Sequence, residues 1–326
     1  ALASRLAAHT GAQQASASRC GTRRFVARED QARVVDQRFT ISTAAGKGLG
    51  AFATRNLACG ELVAAESPLL TWCDEDDEAE LWAAVQRQFD SMRSSEQEAV
   101  MSLHDVRASA GRKTLRGIVD SNSIGVRGRE ADGVVCPTLS RFNHSCAPNC
   151  EQSWDDEAAE ARIYASTDIT VGEELCLAYV DLLLRREARR HQLWRAYRFR
   201  CACRACSAPS AASDARRERL AQLEREMGTL EPSEASRGPK MALEALELCD
   251  REGLHQNGFR AQVCYSAYQD SLAAADLEGA ELWAKQALRH SERCRGPRHA
   301  VTRLLRGYAR ATEPPGARRH AGARER

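Results

Sequence analysis

The stretch RFNHSCAPNC, residues 141–150, sets Asn143, His144, Cys146 and Cys150 within ten positions. Thiol, imidazole and amide groups crowded in this way suit two chemistries, a nucleophilic cysteine or metal ligation. A cysteine protease draws its Cys and His from distant parts of the chain, so local crowding speaks against the first. Metal ligation needs more donors than this segment holds. CACRAC, further along, supplies Cys201, Cys203 and Cys206, spaced tightly enough to bind one ion. Three thiolates leave a structural zinc one ligand short. Cys146 is the candidate for the fourth, with Cys150 as the alternative.

Two other stretches bear on chemistry. AGKGLGAFA, residues 45–53, places Gly46, Gly48 and Gly50 between two strand-like runs, where a backbone can approach a ligand closely. It has neither the strand-to-helix setting of a dinucleotide fingerprint nor the GKS or GKT ending of a P-loop, which argues against nucleotide hydrolysis. VGEELCLAYVD, residues 171–181, reads as a turn running into a strand that ends at Tyr179. The Glu173–Glu174 pair reads as a solvated or turn-holding feature.

The elements that position these groups fall into two kinds. Between residues 34 and 180 the runs RVVDQRFTI, GAFA, ELVAA, GVVCP, ARIYAS and ELCLAY are short and β-type, separated by Gly, Pro and Asn or Asp. One helical insertion, over about residues 73–115, interrupts them, with Leu81, Val85 and Phe89 at four-residue spacing. After Asp181 the pattern turns helical. Leu220, Leu223 and Met227 share a face, as do Ala242, Ala245, Leu246 and Cys249; Tyr265, Tyr268 and Leu272 continue, then Leu277, Ala280, Ala284, Ala287 and Leu288. Successive helices with short Gly-containing turns suggest stacked hairpins of the tetratricopeptide kind. The fold class is therefore α+β, with a short-stranded β region, residues 31–181, a cysteine-rich segment, residues 182–210, and a helical region, residues 211–312. SRGPK at 236–240 reads as a linker, and residues 1–30 and 313–326 as tails.

With 326 residues the chain is long enough for two domains. Its net charge of +2 conceals a heavy preference for Arg, since Lys occurs only at Lys47, Lys113, Lys240 and Lys285. The Arg-rich run from Arg185 to Arg204 reads as a solvated helix face, which disfavours direct nucleic-acid binding. Thirteen clustered cysteines without a secretory leader favour reduced thiols and metal ligation over disulfides. No apolar run approaches the ~20 residues of a membrane span, so a soluble protein of the nucleus or cytoplasm is expected. The Ala-, Ser- and Arg-rich residues 1–28 contain no Asp or Glu. They read as a disordered tail or a truncated start in preference to an organellar transit peptide.

In order, content and spacing, GKGLGAFA, DSNSIGV, NHSCAPNC, GEELCLAY and CxCxxC together resemble the SET-domain protein lysine methyltransferases. The likeness is to the branch of the SET-and-MYND proteins and their fungal-type relatives without the MYND finger. It runs from about residue 34 to 206, and more weakly to about 310. The resemblance implies a SET fold with its pseudoknot around NHSC, and S-adenosylmethionine as cofactor. It implies that Asn143, His144 and Asn122 bind that cofactor, that Lys47, Gly48 and Leu49 cradle it, and that Phe199 packs on its adenine. Tyr197 and Ile124 then line the lysine channel, Tyr179 orients the reacting amine, and one structural zinc joins Cys146 to Cys201, Cys203 and Cys206.

That chemistry suits the residue types. Methyl transfer from a sulfonium to an amine is an in-line displacement in which the protein positions two reactants and excludes water. Ile124 stands where relatives often carry an aromatic, which leaves the number of methyl groups open. No MYND-type array interrupts residues 67–120. The expected substrate is a protein, a histone among the candidates, whose basic lysine-containing segment meets the acidic runs CDEDDEAE and EQSWDDEAAE; the C-terminal helices are a candidate surface for a protein partner. A catalytically silent SET module acting as a scaffold is the alternative.

Overall fold

A computed structural model describes residues 38–72, 77–109, 111–126, 133–208 and 210–311. The expected tails, RVVDQ at the start of the first strand-like run, and Cys73–Asp76 of the first acidic run lie outside them. Among the described residues, ten strands form three small sheets: β1 (Phe39–Ala44), β2 (Gly48–Ala53), β3 (Leu62–Glu66), β4 (Leu70–Trp72), β5 (Ile124–Gly125), β6 (Gly133–Val135), β7 (Asn143–His144), β8 (Cys150–Asp155), β9 (Glu160–Ala165) and β10 (Glu174–Leu177). The sheets run β1-β2-β10-β7, β3-β9-β8 and β4-β6-β5.

The first sheet carries the candidate motifs. β1 and β2 form a hairpin in which Ala44 pairs with Gly48, its turn closed by Lys47 N–H donating to the Ala44 carbonyl at 3.0 Å. β10 pairs antiparallel with β2 and parallel with β7, setting Cys176 opposite Asn143 and Leu177 opposite His144. That parallel pair draws NHSC against GEELCLAY. Ala51, Ala53, Val63, Phe142, Ile163, Ala165 and Leu175 make a closed core beneath these strands.

Three helices, α1 (Glu78–Asp90), α2 (Ser94–Met101) and α3 (Leu115–Asn122), lie between β4 and β5. Asp77 caps α1 and Thr114 caps α3, each side chain accepting a first-turn backbone N–H. Val85 and Phe89 bury the expected stripe against Val100, Leu103 and Ile118, but Trp82 completes it in place of Leu81.

After β10 come α4 (Arg186–Tyr197), the short α5 (Arg204–Ser207), α6 (Ala211–Gly228), a 3-10 turn over Pro232–Arg237, α7 (Gly238–Glu252), α8 (Asn257–Ala273), α9 (Leu277–Arg295) and α10 (Ala300–Ala311). Leu220, Leu223, Met227, Ala242, Ala245, Cys249, Tyr265, Ala280, Ala284 and Ala287 share one buried core. Leu272 and Leu277, expected in that stripe, are instead 40% and 68% exposed, because they flank the turn between α8 and α9. SRGPK is not a linker. Its first residues close the 3-10 turn and the rest open α7, where Pro239 costs no hydrogen bond because first-turn N–H groups have no helical partner. Gly238 sits so close to Asp270 that a Cβ would fall 2.2 Å from its carboxylate oxygen.

Glu151 and Tyr164 are among the residues that tie the helices to the sheets. Glu151 of β8 accepts the backbone N–H groups of Asn257 and Gly258 at the start of α8, both at 2.8 Å. The Tyr164 hydroxyl donates to the Arg295 carbonyl at 2.9 Å.

Candidate functional site

The ligand atoms of Cys146, Cys201, Cys203 and Cys206 all lie within 4.8 Å of one another, and the sulfurs of Cys206 and Cys146 are 3.5 Å apart. Tetrahedral bonds of about 2.3 Å to one zinc would set sulfurs about 3.8 Å apart, so the cluster fits a single metal ion. Backbone N–H groups point at it, Cys146 N toward Cys203 Sγ at 3.4 Å and Cys203 N toward Cys201 Sγ at 3.5 Å. Hydrogen bonding among the sulfurs splits their acidities. Cys146 pulls Cys203 and Cys206 below the usual thiol value, the latter to about 6, while Cys201 first among its neighbours holds Cys146 up. The alternative ligand, Cys150, is buried in β8 outside the cluster, its thiol raised by burial.

Two buried cations stand beside these sulfurs. Arg189 of α4 and Arg217 of α6 are 1% and 0% exposed. Burial opposes the charge of Arg189, and the Cys146 and Cys206 sulfurs overcome it. Arg217 donates to the Cys146 carbonyl at 3.3 Å and to Glu252 at 2.9 Å. The Arg-rich run is therefore not simply a solvated face, since four thiols capable of anionic charge lie at its inner side. Nothing in a run of arginines tells which of them turns inward.

A cleft of about 1940 Å³ opens next to the cluster. Lys47, Gly48, Leu49, Asn122, Ile124, Asn143, His144, Tyr179, Tyr197 and Phe199 all line it. Sequence positions spread over 153 residues, from 47 to 199, thus share one concave surface. His144, Tyr179, Tyr197 and Phe199 form a chain of tilted rings, with centroids 5.4 Å apart for His144–Tyr179, 5.0 Å for Tyr179–Tyr197 and 6.3 Å for Tyr197–Phe199.

The polar geometry is specific. His144 Nδ1 accepts the Tyr179 backbone N–H at 3.0 Å, so the neutral ring carries its proton on Nε2, which faces Cys146 Sγ at 3.2 Å. Burial lowers the imidazole to about 4 and keeps it neutral. Both ring nitrogens are engaged inside the protein, which leaves the His144 backbone and ring edge for the cleft. Tyr179 Oη donates to the Phe142 carbonyl at 2.6 Å. Burial, and then Tyr197, raise this phenol and hold it protonated. The Asn122 amide donates to the His104 and Ile118 carbonyls, each at 2.7 Å.

Glu174 is the residue that sequence reading missed. One oxygen accepts Lys47 Nζ at 2.5 Å and the other accepts Asn143 Nδ2 at 2.9 Å, while the same amide reaches the Leu49 carbonyl at 3.0 Å. Burial disfavours the Lys47 charge, and Glu174 restores it, leaving that ammonium above its ordinary value. Gly50 permits the arrangement, because a Cβ there would sit 2.8 Å from Asn143 Nδ2. Its neighbour Glu173 does hold the turn, accepting Thr170 N–H at 2.9 Å. One glutamate closes the turn and the next opens the strand, a distinction that composition does not carry.

The acidic run EQSWDDEAAE does not flank the cleft as expected. Glu151 is buried on α8, Asp155 and Glu160 pair with Arg162 at 2.5 and 3.2 Å, and Glu157 pairs with Arg303. These acids hold the β8–β9 hairpin and the helical region together.

The SET domain family matches residues 48–180. That stretch, and not the whole chain, is what matches, and the chain is similar to the set5 and SMYD proteins. Histone-lysine N-methyltransferase set5 of Schizosaccharomyces pombe is 28% identical over 188 residues, 56% of this chain and 56% of that protein. Histone-lysine N-methyltransferase SMYD3 of Homo sapiens is 44% identical over 70 residues, 22% of this chain and 16% of its own length. N-lysine methyltransferase SMYD2 of Gallus gallus is 28% identical over 173 residues, 48% of this chain and 39% of its own. The chain spans about half the length of the first of these relatives and less of the others. Among solved structures, the SET domain of LSMT bound to lysine and AdoHcy covers 85% of this chain at 13% identity and a TM-score of 0.36, too distant a likeness to bear on the site.

Proposed function

We propose that this chain is an S-adenosylmethionine-dependent protein-lysine N-methyltransferase acting on a histone or another protein, with one structural zinc at the cysteine cluster. The observation that carries the reading is the single cleft that gathers ten residues from four separate motifs and the segment just before CxCxxC. Relatives named as lysine methyltransferases support it.

When bound, S-adenosylmethionine supplies a methyl group on a positively charged sulfur for in-line transfer to the lysine amine. Asn143, fixed by Glu174 and the Leu49 carbonyl, and the Lys47–Leu49 turn would hold it, with Phe199 against its rings. The Tyr179 hydroxyl donates its hydrogen bond to the Phe142 carbonyl, which leaves its oxygen lone pairs free to accept. The oxygen can take an N–H of the substrate amine and aim the nitrogen lone pair at the methyl group. Being held protonated, Tyr179 orients and does not act as a base. Tyr197 walls the channel and keeps water out, which favours the neutral amine that attacks. Cys146, Cys201, Cys203 and Cys206 would hold zinc and so pin Tyr197 and Phe199 over the cleft.

Incubation of the full chain with tritiated-methyl donor and a protein extract tests the reading. Protein-bound tritium with wild type, lost in Tyr179→Phe, supports it. Cofactor binding without transfer to any protein would leave only the scaffold reading.

A further inference from the structure

Six cationic side chains line the cleft, Lys47, Lys113, Arg141, Arg198, Arg200 and Arg204, against the carboxylates of Asp105, Asp168, Glu173 and Glu174. All four carboxylates are committed. Glu174 holds Lys47 and Asn143; Asp105 accepts the Arg107 and Thr114 N–H groups at 2.7 and 2.9 Å; Asp168 accepts Cys59 N–H at 2.8 Å; Glu173 closes its turn. Lys113 spends its protons on the Met101 and Leu103 carbonyls, and Arg141 reaches Ser102 Oγ at 2.6 Å.

Arg198, Arg200 and Arg204 are different. All three are exposed, and among the described residues none of their guanidinium groups has a hydrogen-bond acceptor or a carboxylate partner. They alternate with the channel residues themselves: Arg198 ends α4 in the left-handed region at φ 57°, between Tyr197 and Phe199, and Arg200 follows Phe199. The Arg200 guanidinium rests over the Trp194 ring at 5.7 Å, while Arg204 reaches back toward Gly253. One short segment thus presents three cations at the mouth of the cleft, fanned in different directions. Residues two or three places from a target lysine lie about 7–10 Å from it along an extended chain, within reach of such a fan.

We propose that the lysine-bearing segment received by this cleft is acidic, with Asp or Glu side chains flanking the lysine and meeting Arg198, Arg200 and Arg204. The proposal rests on the lysine methyltransferase reading and replaces the basic substrate expected from the acidic runs. Guanidinium groups without carboxylate partners beside the channel also favour the neutral form of the entering amine, while acidic flanks offset them during docking. A peptide fits better than a nucleic acid because the three arginines border the Tyr179, Tyr197 and Phe199 rings, the channel read above as taking a single lysine side chain.

The test uses the full zinc-loaded chain and three fluorescein-labelled 15-residue peptides with one central lysine, flanked by Glu, by Gln or by Arg. Binding is read by anisotropy and transfer by methyl incorporation, at low and high salt, for wild type and for Arg198→Ala/Arg200→Ala/Arg204→Ala; circular dichroism and zinc content confirm that the variant is folded. Expected is about tenfold tighter binding, and an equally lower KM, for the Glu-flanked peptide over the Arg-flanked one, with the gap collapsing in the triple variant and at high salt. Equal or reversed preference overturns the proposal, as does tighter binding of a single-stranded oligonucleotide that displaces the Glu-flanked peptide. Arginine-dependent binding without transfer to any peptide or protein would count against the methyltransferase reading alone and leave the acidic surface preference standing.

Discussion

His144 Nε2 and Cys146 Sγ face each other at 3.2 Å, and the Tyr179 backbone N–H on the opposite ring nitrogen fixes which partner carries the proton. The imidazole therefore donates toward the sulfur, linking the cysteine cluster to the strand end that carries Tyr179. Through this ring the cluster and the cleft are in direct contact.

Loss of the metal should accordingly weaken the cofactor site. Cys146→Ser lowers both zinc content and S-adenosylmethionine affinity, whereas Cys150→Ser, outside the cluster, spares them. Metal analysis paired with calorimetric titration reads both. A full zinc equivalent in Cys146→Ser, or tight cofactor binding by chelator-stripped protein, would break the link.

Arg189 is expected to act as the counter-charge of a metal tetrathiolate. Arg189→Met keeps the volume and removes the cation beside Cys146 and Cys206. Changes in groups that support metal ligands typically cost about 10–100-fold in affinity. Zinc transfer to a chromogenic chelator should speed up accordingly, and an unchanged release rate would make Arg189 a packing residue.

Gly50→Ala places a Cβ 2.8 Å from Asn143 Nδ2 and 3.0 Å from the Ala44 Cβ. Overpacking of this kind costs about 1–3 kcal/mol, and the Asn143 amide is the side chain that must shift. A lower Tm together with weakened S-adenosylmethionine binding is expected. A lower Tm with intact cofactor affinity would detach Asn143 from that site.

Glu151 supplies a pH signature. Burial raises this carboxyl above its ordinary value, against the opposing pull of the Gly258 and Asn257 N–H groups. A carboxyl with a raised folded value binds its proton more tightly when folded, so its contribution is full below the unfolded value of about 4.5 and is lost as pH rises through the folded value. The stability of wild type relative to Glu151→Gln should therefore decline as pH rises from about 4 through that window. Denaturant unfolding across pH measures it, and a difference that grows with pH would reverse the sign.

The chemistry-bearing residues were legible because rare types in fixed order, NHSC and CxCxxC above all, are visible without coordinates. What stayed hidden depends on where a common side chain points. Glu174 opens the strand whereas Glu173 closes the turn before it, and Arg189 differs from its neighbours by facing the Cys146 and Cys206 sulfurs. Strands such as β5 and β7, two residues each, are too short to show alternation. The acids of β8 and the following turn looked like a substrate groove because their partners, Arg303 and the start of α8, lie more than a hundred residues away.

Site mapping of the transferred methyl group tests the central claim most directly. Proteins labelled by the full chain, beside those treated with Tyr179→Phe, are digested and sequenced by tandem mass spectrometry. Losing the one positioned hydroxyl typically costs about a hundredfold or more in rate. The account predicts methyl groups on lysine Nζ with wild type, at least a hundredfold fewer with Tyr179→Phe, and near-equal S-adenosylmethionine affinity for the two proteins. Methylation of another residue type, or equal lysine labelling by the variant, would contradict it.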